Sequence, residues 1–431
     1  MKIKRTFLTS ILIAAGLAFM SITCYVQTPH IPETEAIIPF YYHASQAELD
    51  DLHRRILATR WPEKETVTDA TQGVQLATVK ALAKYWANGY DWRKIERKLN
   101  SYPQFITNID GLDIHFIQVR SKNKNALPII ITHGWPGSII EQLKIIDRLV
   151  NPEAYGGKAN EAFDVVIPSM PGYGFSAKPT TTGWDPKHIA RAWVVLMKRL
   201  GYSRYVAQGG DWGALVTEQM GVLAPPGLLA IHTNMPGVFP NNIDQAAFSG
   251  APAPPGLSAD EKLAYDRLQF VYQKGIAYGY QMGLRPQTLY GIADSPVGLA
   301  AWFLDHDARS YALITRVFNG KSEGLTKDDI LDNITITWLT NTAISGARLY
   351  WENWGKLGYF NVKGITIPVA VSVFPDELYP APKSYAEKAF PKLIYFNKVA
   401  KGGHFAAWEQ SEIFTDELRA AFSSIRGSLG K

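Results

Sequence analysis

Five residues, Gly209-Gly210-Asp211-Trp212-Gly213, constrain this chain more than any others. They lie between an apolar run at 202–208, which reads as a strand, and residues 214–223, which read as a helix. A strand, a tight glycine-flanked turn and a helix form an elbow that lifts one side chain out at the top of a sheet. Here that side chain is a carboxylate, where an acyl-transfer enzyme carries a serine. A carboxylate is already ionised and can attack a saturated carbon without help from a base. Water can then cut the ester left behind. The elbow predicts a hydrolase acting on an electrophilic sp³ carbon.

The surrounding pattern supplies the sheet that such an elbow needs. From Ile109 onward, strand candidates fall at 113–119, 127–132, 163–168, 204–208, 228–233, 367–373 and 393–397. Helical stretches such as 138–150 and 186–200 separate most of them. That alternation predicts an α/β architecture, a mostly parallel sheet with helices on both faces. Before it, residues 36–108 read as a helical N-terminal segment, with a capping box at Ser45 and Glu48 and further helical runs at 74–86 and 92–99. Between 237 and 364 the alternation stops. Pro252, Pro254, Pro255 and Gly256 open this region, and helical patterns follow at 260–274, 297–305 and 328–355. It reads as a helical lid inserted between two parts of one core, 109–236 and 365–431.

Residues 1–27 carry a different signal. Lys2, Lys4 and Arg5 precede a mostly apolar stretch from Phe7 to Met20, the pattern of a secretory leader. This predicts an exported protein, periplasmic or secreted. Residues 7–26 are also about long enough to act as a retained membrane anchor. Cys24 is the one cysteine, so no intrachain disulfide can form. The formal charge of +5 owes three units to the leader, and no basic stripe or recognition motif points to nucleic acid.

Downstream of Asp211, two further segments carry chemistry. His404 lies in Gly402-Gly403-His404-Phe405, after the last apolar strand, and would act as general base on water. Phe374-Pro375-Asp376-Glu377 follows the preceding strand, and either carboxylate could orient the imidazole. The chain order of nucleophile, acid and histidine is that of an α/β-hydrolase. In that fold the loop His133-Gly134-Trp135-Pro136-Gly137 would supply the Trp135 N–H, beside the Trp212 N–H, to an oxyanion hole. The charge to be stabilised there develops on the carbonyl oxygen of Asp211 itself. His115, His188, His232 and His306 read as surface or core histidines. No histidine pair has metal-ligand spacing, so neither a metal nor a cofactor is expected.

Together these segments resemble the epoxide hydrolases of the microsomal type, which include the insect juvenile-hormone enzymes. The likeness runs from about Pro39 to the C-terminus. It includes Arg60-Trp61-Pro62, the 133–137 loop, Pro171-Gly172-Tyr173-Gly174-Phe175-Ser176, the elbow, Arg285-Pro286-Gln287-Thr288, Asp294-Ser295-Pro296-Val297-Gly298-Leu299 and the His404 loop. The resemblance implies Asp211 as nucleophile, His404 as base and Glu377, rather than Asp376, as orienting acid. It also implies two lid tyrosines that donate hydrogen bonds to the epoxide oxygen. They match Tyr278, with Tyr280 as its near neighbour, and Tyr350. A small apolar epoxide would be the substrate. The elbow alone is shared with haloalkane dehalogenases, which release halide and lack the paired phenols. A non-catalytic binding protein on the same scaffold is the rival from another class. A serine esterase would need a G-x-S-x-G segment, and the sequence has none.

Overall fold

The computed structural model describes residues 35–321, 323–355 and 358–429. The expected leader, 1–27, lies outside the described residues. Nine strands form one sheet: β1 (Ile38–Pro39), β2 (Gln104–Ile109), β3 (Leu112–Val119), β4 (Leu127–Thr132), β5 (Phe163–Pro168), β6 (Tyr205–Gly209), β7 (Leu228–Thr233), β8 (Val369–Val373) and β9 (Leu393–Lys398). Their order is β1-β2-β3-β5-β4-β6-β7-β8-β9. Strands β1, β2 and β3 are antiparallel, and every pairing from β5 to β9 is parallel. β4 shows why the sheet is central. Ile129 and Ile131 pack into one hydrophobic cluster and Ile130 into the other, on opposite faces. A strand covered on both sides can be apolar at every position.

Helices α1 (Gln46–Leu57), α2 (Leu76–Asn88) and α3 (Trp92–Asn100) form the N-terminal segment. The capping box at Ser45 and Glu48 is present, with both reciprocal hydrogen bonds made. α4 (Leu143–Val150), α5 (Pro186–Arg199) and α6 (Trp212–Leu223) belong to the first part of the core. The lid comprises α7 (Asn241–Ser249), α8 (Ala259–Phe270), α9 (Ala277–Leu284), α10 (Tyr290–Asp294), α11 (Pro296–Leu304), α12 (Ala308–Phe318), α13 (Lys327–Leu339) and α14 (Ala343–Asn353). α15 (Lys383–Ala389), α16 (Ala406–Glu409), α17 (Ser411–Ala421) and α18 (Ser423–Leu429) complete the chain. Among the described residues no helix is long and apolar enough to cross a membrane.

The N-terminal segment straps the lid from outside. Trp86 Nε1 donates to Thr335 Oγ1 at 3.1 Å, and the Tyr90 hydroxyl donates to Asp332 Oδ1 at 2.8 Å. Both bonds tie the segment to α13, so the lid is held from two sides.

The structure departs from the sequence expectation in three places. Strands begin before Ile109: the two-residue β1 at Ile38–Pro39 pairs with β2, which starts at Gln104 and forms a hairpin with β3 through Asp110-Gly111. Both turn residues have positive φ, 51° and 82°, the geometry that Asp-Gly hairpins favour. The expected helix at 138–150 begins instead as a 3₁₀ turn, Ile139–Gln142, before α4. The long helical pattern at 328–355 is two helices, broken where Asn341 takes φ 50°. Asparagine tolerates that left-handed conformation better than most residues.

Candidate active site

Trp135, Asp211, Glu377 and His404 all follow the carboxyl ends of parallel strands, where open α/β sheets bind their ligands. β6 ends at Gly209 and α6 begins at Trp212, leaving Asp211 at the apex of the turn. Its backbone lies at φ 51°, ψ −128°, a region that costs a non-glycine residue about 1–3 kcal/mol. Neighbouring glycines give the turn its space. A Cβ on Gly209 would meet the Gly213 carbonyl oxygen at 2.0 Å, and one on Gly213 would meet that of Thr132 at 2.0 Å. Neither neighbour is a flexible side chain that could yield. Gly209→Ala is expected to lower stability by about 3 kcal/mol, seen as a lower urea midpoint.

Glu377 and His404 follow β8 and β9 and meet beside Asp211. His404 Nδ1 lies 2.6 Å from Glu377 Oε1, and His404 Nε2 faces Asp211 Oδ2 at 3.4 Å. The loops that carry them are joined by backbone, since the Asp376 N–H donates to the Gly402 carbonyl at 3.0 Å. That pairing turns the Asp376 side chain outward, 62% exposed, and Glu377 inward, 1% exposed. The residue pattern alone left both carboxylates open; Glu377, the one the resemblance implies, is the one that reaches the imidazole. Gly402 adopts φ 112° and passes against the Phe374 ring, so the loop requires glycine there. Glu409, which the sequence did not suggest, accepts from the N–H groups of Gly403 and Phe405 at 3.0 Å each. It clamps the backbone on either side of His404.

Charge in this cluster is mutually determined. Burial alone would raise the Asp211 pKa, but His306 and His404 overrule it and hold the carboxyl well below the usual carboxylate range. Burial likewise opposes the charged form of His404, yet Glu377 and Asp211 keep its pKa well above the ordinary histidine value. Asp211 is thus an anion at neutral pH, the form in which a carboxylate can attack carbon.

The expected oxyanion contacts are placed as follows. The Trp135 N–H donates to Asp211 Oδ1 at 2.7 Å. Trp212 is the first residue of α6, so its N–H has no acceptor within the helix. Oδ1 is therefore held by a backbone donor while Oδ2 faces His404. Beside Asp211 and His404 lies a cavity of about 20 Å³, bordered by Glu141, Gln142, Gln208 and Asn234. That volume suits about one water with several polar partners. Burial pushes the Glu141 carboxyl up to about 8.

The lid brings both expected tyrosines over the elbow. Tyr278, on α9, stacks on Trp135 with ring centroids 4.7 Å apart. Tyr350, on α14, packs edge-on against Trp212 at 4.7 Å, and the two tyrosine rings are 6.1 Å apart. Burial, aided by the charge of Asp211, drives both phenol pKa values well above 10, so both stay protonated donors. Tyr280 points away, onto Trp354 at 5.2 Å. It lines a cavity of about 260 Å³ with Phe248, Tyr272, Trp354 and Tyr359, and Tyr350 reaches into the same space. An aromatic cavity of that size suits an apolar molecule.

One histidine is corrected. His115 and His232 are buried core residues, and His188 stacks on Trp184 at 4.1 Å, as expected. His306 instead belongs to the site. Its Nε2 lies 3.8 Å from Asp211 Oδ2, and its Nδ1 bonds Asp307 Oδ2 at 2.9 Å. Sequence distance hid it, because the bend between α11 and α12 brings lid residue 306 against core residue 404. The Asp305-His306-Asp307 string was the available signal. Asp211, His306 and His404 have ligand-type atoms within 4.8 Å of one another, a grouping that sequence spacing could not show. Both imidazoles face the same carboxylate oxygen, Asp211 Oδ2, His404 at 3.4 Å and His306 at 3.8 Å.

Strand order, the elbow and the chain order Asp211, Glu377, His404 define an α/β-hydrolase. Residues 37–142 match the family described as "Epoxide hydrolase N terminus", and residues 128–271 match "alpha/beta hydrolase fold". A putative epoxide hydrolase of Stigmatella aurantiaca is 49% identical over 90% of this chain and 86% of that protein. Epoxide hydrolase 1 of Sus scrofa is 33% identical over 91% of this chain and 89% of its own length. The crystal structure of juvenile hormone epoxide hydrolase from Bombyx mori superposes with a TM-score of 0.80 at 28% identity, covering 92% of this chain and 96% of that one. The chain belongs to the epoxide hydrolase family and is an enzyme, a hydrolase.

Proposed function

We propose that the protein adds water to a small apolar epoxide, giving a vicinal diol through a covalent ester on Asp211. The observation that carries this reading is the division of labour on one carboxylate. Oδ1 is held by the Trp135 N–H at 2.7 Å, while Oδ2 is left to attack, with His404 Nε2 at 3.4 Å. Oδ2 bonds to a ring carbon, the C–O bond breaks, and the new alkoxide takes a proton from Tyr278 or Tyr350. An alkoxide is a poor leaving group without such donors. Water then adds to the Asp211 carbonyl carbon, with its proton passing to His404, and Oδ2 leaves with the diol. The backbone donors meet the charge on Oδ1. No cofactor takes part. The basic, apolar leader supports export.

A single turnover in heavy-oxygen water tests the reading. The first diol should carry only light oxygen, and the peptide containing Asp211 should gain one heavy atom. A first diol already labelled from solvent would sink the ester.

The two steps should also respond differently to acid. Ester formation needs ionised Asp211, whose pKa is depressed, so its rate is expected to change less than about twofold from pH 8 to pH 5. Ester decay needs neutral His404 and should fall as pH drops through the histidine pKa in the ester. Stopped-flow tryptophan fluorescence resolves the two phases, and parallel profiles would contradict the assignment.

A further inference from the structure

His306 and Asp307 form a second imidazole–carboxylate pair directed at the nucleophile, and nothing in the mechanism above uses it. Asp307 is fixed in place as the N-cap of α12, with Oδ1 accepting from the Arg309 and Ser310 N–H groups and Oδ2 left for His306 Nδ1. The His306 side chain is 2% exposed. Its ring lies 4.4 Å from that of His404 and 5.4 Å from that of Tyr278, centroid to centroid. Its other ring neighbours, Trp135 at 5.9 Å and Phe405 at 5.7 Å, cannot carry a proton at neutral pH. Burying an imidazole this completely is costly unless its polar atoms are used.

Proton bookkeeping, resting on the ester reading, supplies the use. In the resting site His404 is an imidazolium paired with the Asp211 carboxylate. Ring opening makes an ester, so Asp211 loses its charge, and the alkoxide takes a phenol proton, leaving a tyrosinate. His404 must now give up a proton before it can act as base, and the tyrosinate must gain one. A single transfer satisfies both. Hydrolysis then yields diol and the Asp211 carboxylate, and leaves the proton from water on His404, restoring the start. His404 and Tyr278 are both buried, 5% and 4% exposed.

We propose that His306, backed by Asp307, is the carrier that passes this proton from His404 to the lid phenol Tyr278 between ring opening and ester hydrolysis. Burial and His404 oppose the His306 imidazolium, but Asp211 and Asp307 outweigh them and raise its pKa, so Asp307 stabilises the charged ring as an orienting carboxylate does for a catalytic histidine. His306 is then a catalytic residue for the second half of the cycle, and in the first it only helps His404 hold a carboxyl that is ionised at neutral pH in any case.

The test is single-turnover kinetics with whichever of styrene oxide, limonene oxide and 9,10-epoxystearic acid the wild type hydrolyses fastest, with ester and diol quantified after rapid quench. For His306→Gln, ester formation should stay within about threefold of wild type, while ester decay slows at least fivefold. The alkylated enzyme should then dominate the intact mass spectrum, and kcat and KM should fall together. Asp307→Asn, which retains a capping side chain, should slow the same step by a smaller factor. Near-normal ester formation shows that the variants are folded, because a merely structural role would damage both steps. Decay slowed less than fivefold, or formation slowed as much as decay, would overturn the proposal. A wild type that forms no ester would instead remove the reading on which it rests, so the two failures are distinct.

Discussion

Asp211→Ala is expected to lower kcat/KM for epoxide hydrolysis by at least about 10⁴-fold and to abolish any covalent adduct. The size follows from how much of the site converges on this one carboxyl. Trp135 donates to one of its oxygens, His404 and His306 face the other, and α6 begins directly behind it. Alanine leaves all of those groups in place with nothing to act on. His404 alone cannot substitute, because water activated there would have to attack the epoxide from a position prepared for attack on the ester carbonyl. The backbone strain at φ 51° remains in the variant, since alanine gains no freedom there. The folded state, by contrast, loses a desolvated charge, and the two imidazoles that faced it can shed their protons, so its thermal midpoint should move by a few degrees at most. Diol formation and intact mass are the measurements. Activity within about tenfold of wild type would mean that the nucleophile lies elsewhere.

What the sequence disclosed about this site follows chain adjacency. Asp211 was legible because two glycines and a helix start are its immediate neighbours, and His404 because Gly402 and Gly403 precede it. Glu377 needed more. Composition alone left it level with Asp376, and the choice depends on a backbone pairing between two loops, Asp376 to Gly402, that no local pattern encodes. His306 and Glu409 were illegible for the same reason. Each acts on residue 404, one from across the lid and one from the helix turn that follows the loop, and neither contact leaves a periodic trace. The sheet behaved likewise. Buried parallel strands such as β4 announce themselves by apolar runs, whereas β2, only partly buried near the antiparallel end of the sheet, mixes polar and apolar residues and falls within the expected helical segment. Its Asp-Gly turn was the better guide than its composition.

Tyr278→Phe combined with Tyr350→Phe is expected to slow ester formation by about 10³-fold or more, with each single change costing about 10-fold. The effects should not add, because either phenol can meet the same developing charge, so the first loss is partly covered by the survivor. Packing should be nearly untouched: the rings remain, stacked on Trp135 and edge-on to Trp212, and only two hydroxyls go. Substrate binding should therefore hold, and the loss should fall on the bond-breaking step. Hydrolysis of a preformed ester leaves from Asp211 rather than from the strained ring and draws on the backbone donors instead, so it should slow far less. Rapid-quench measurement of both phases in the same variant separates the roles. Equal slowing of the two would show that the phenols shape the cavity rather than receive the epoxide oxygen, and unchanged ring opening would move that oxygen to another part of the pocket.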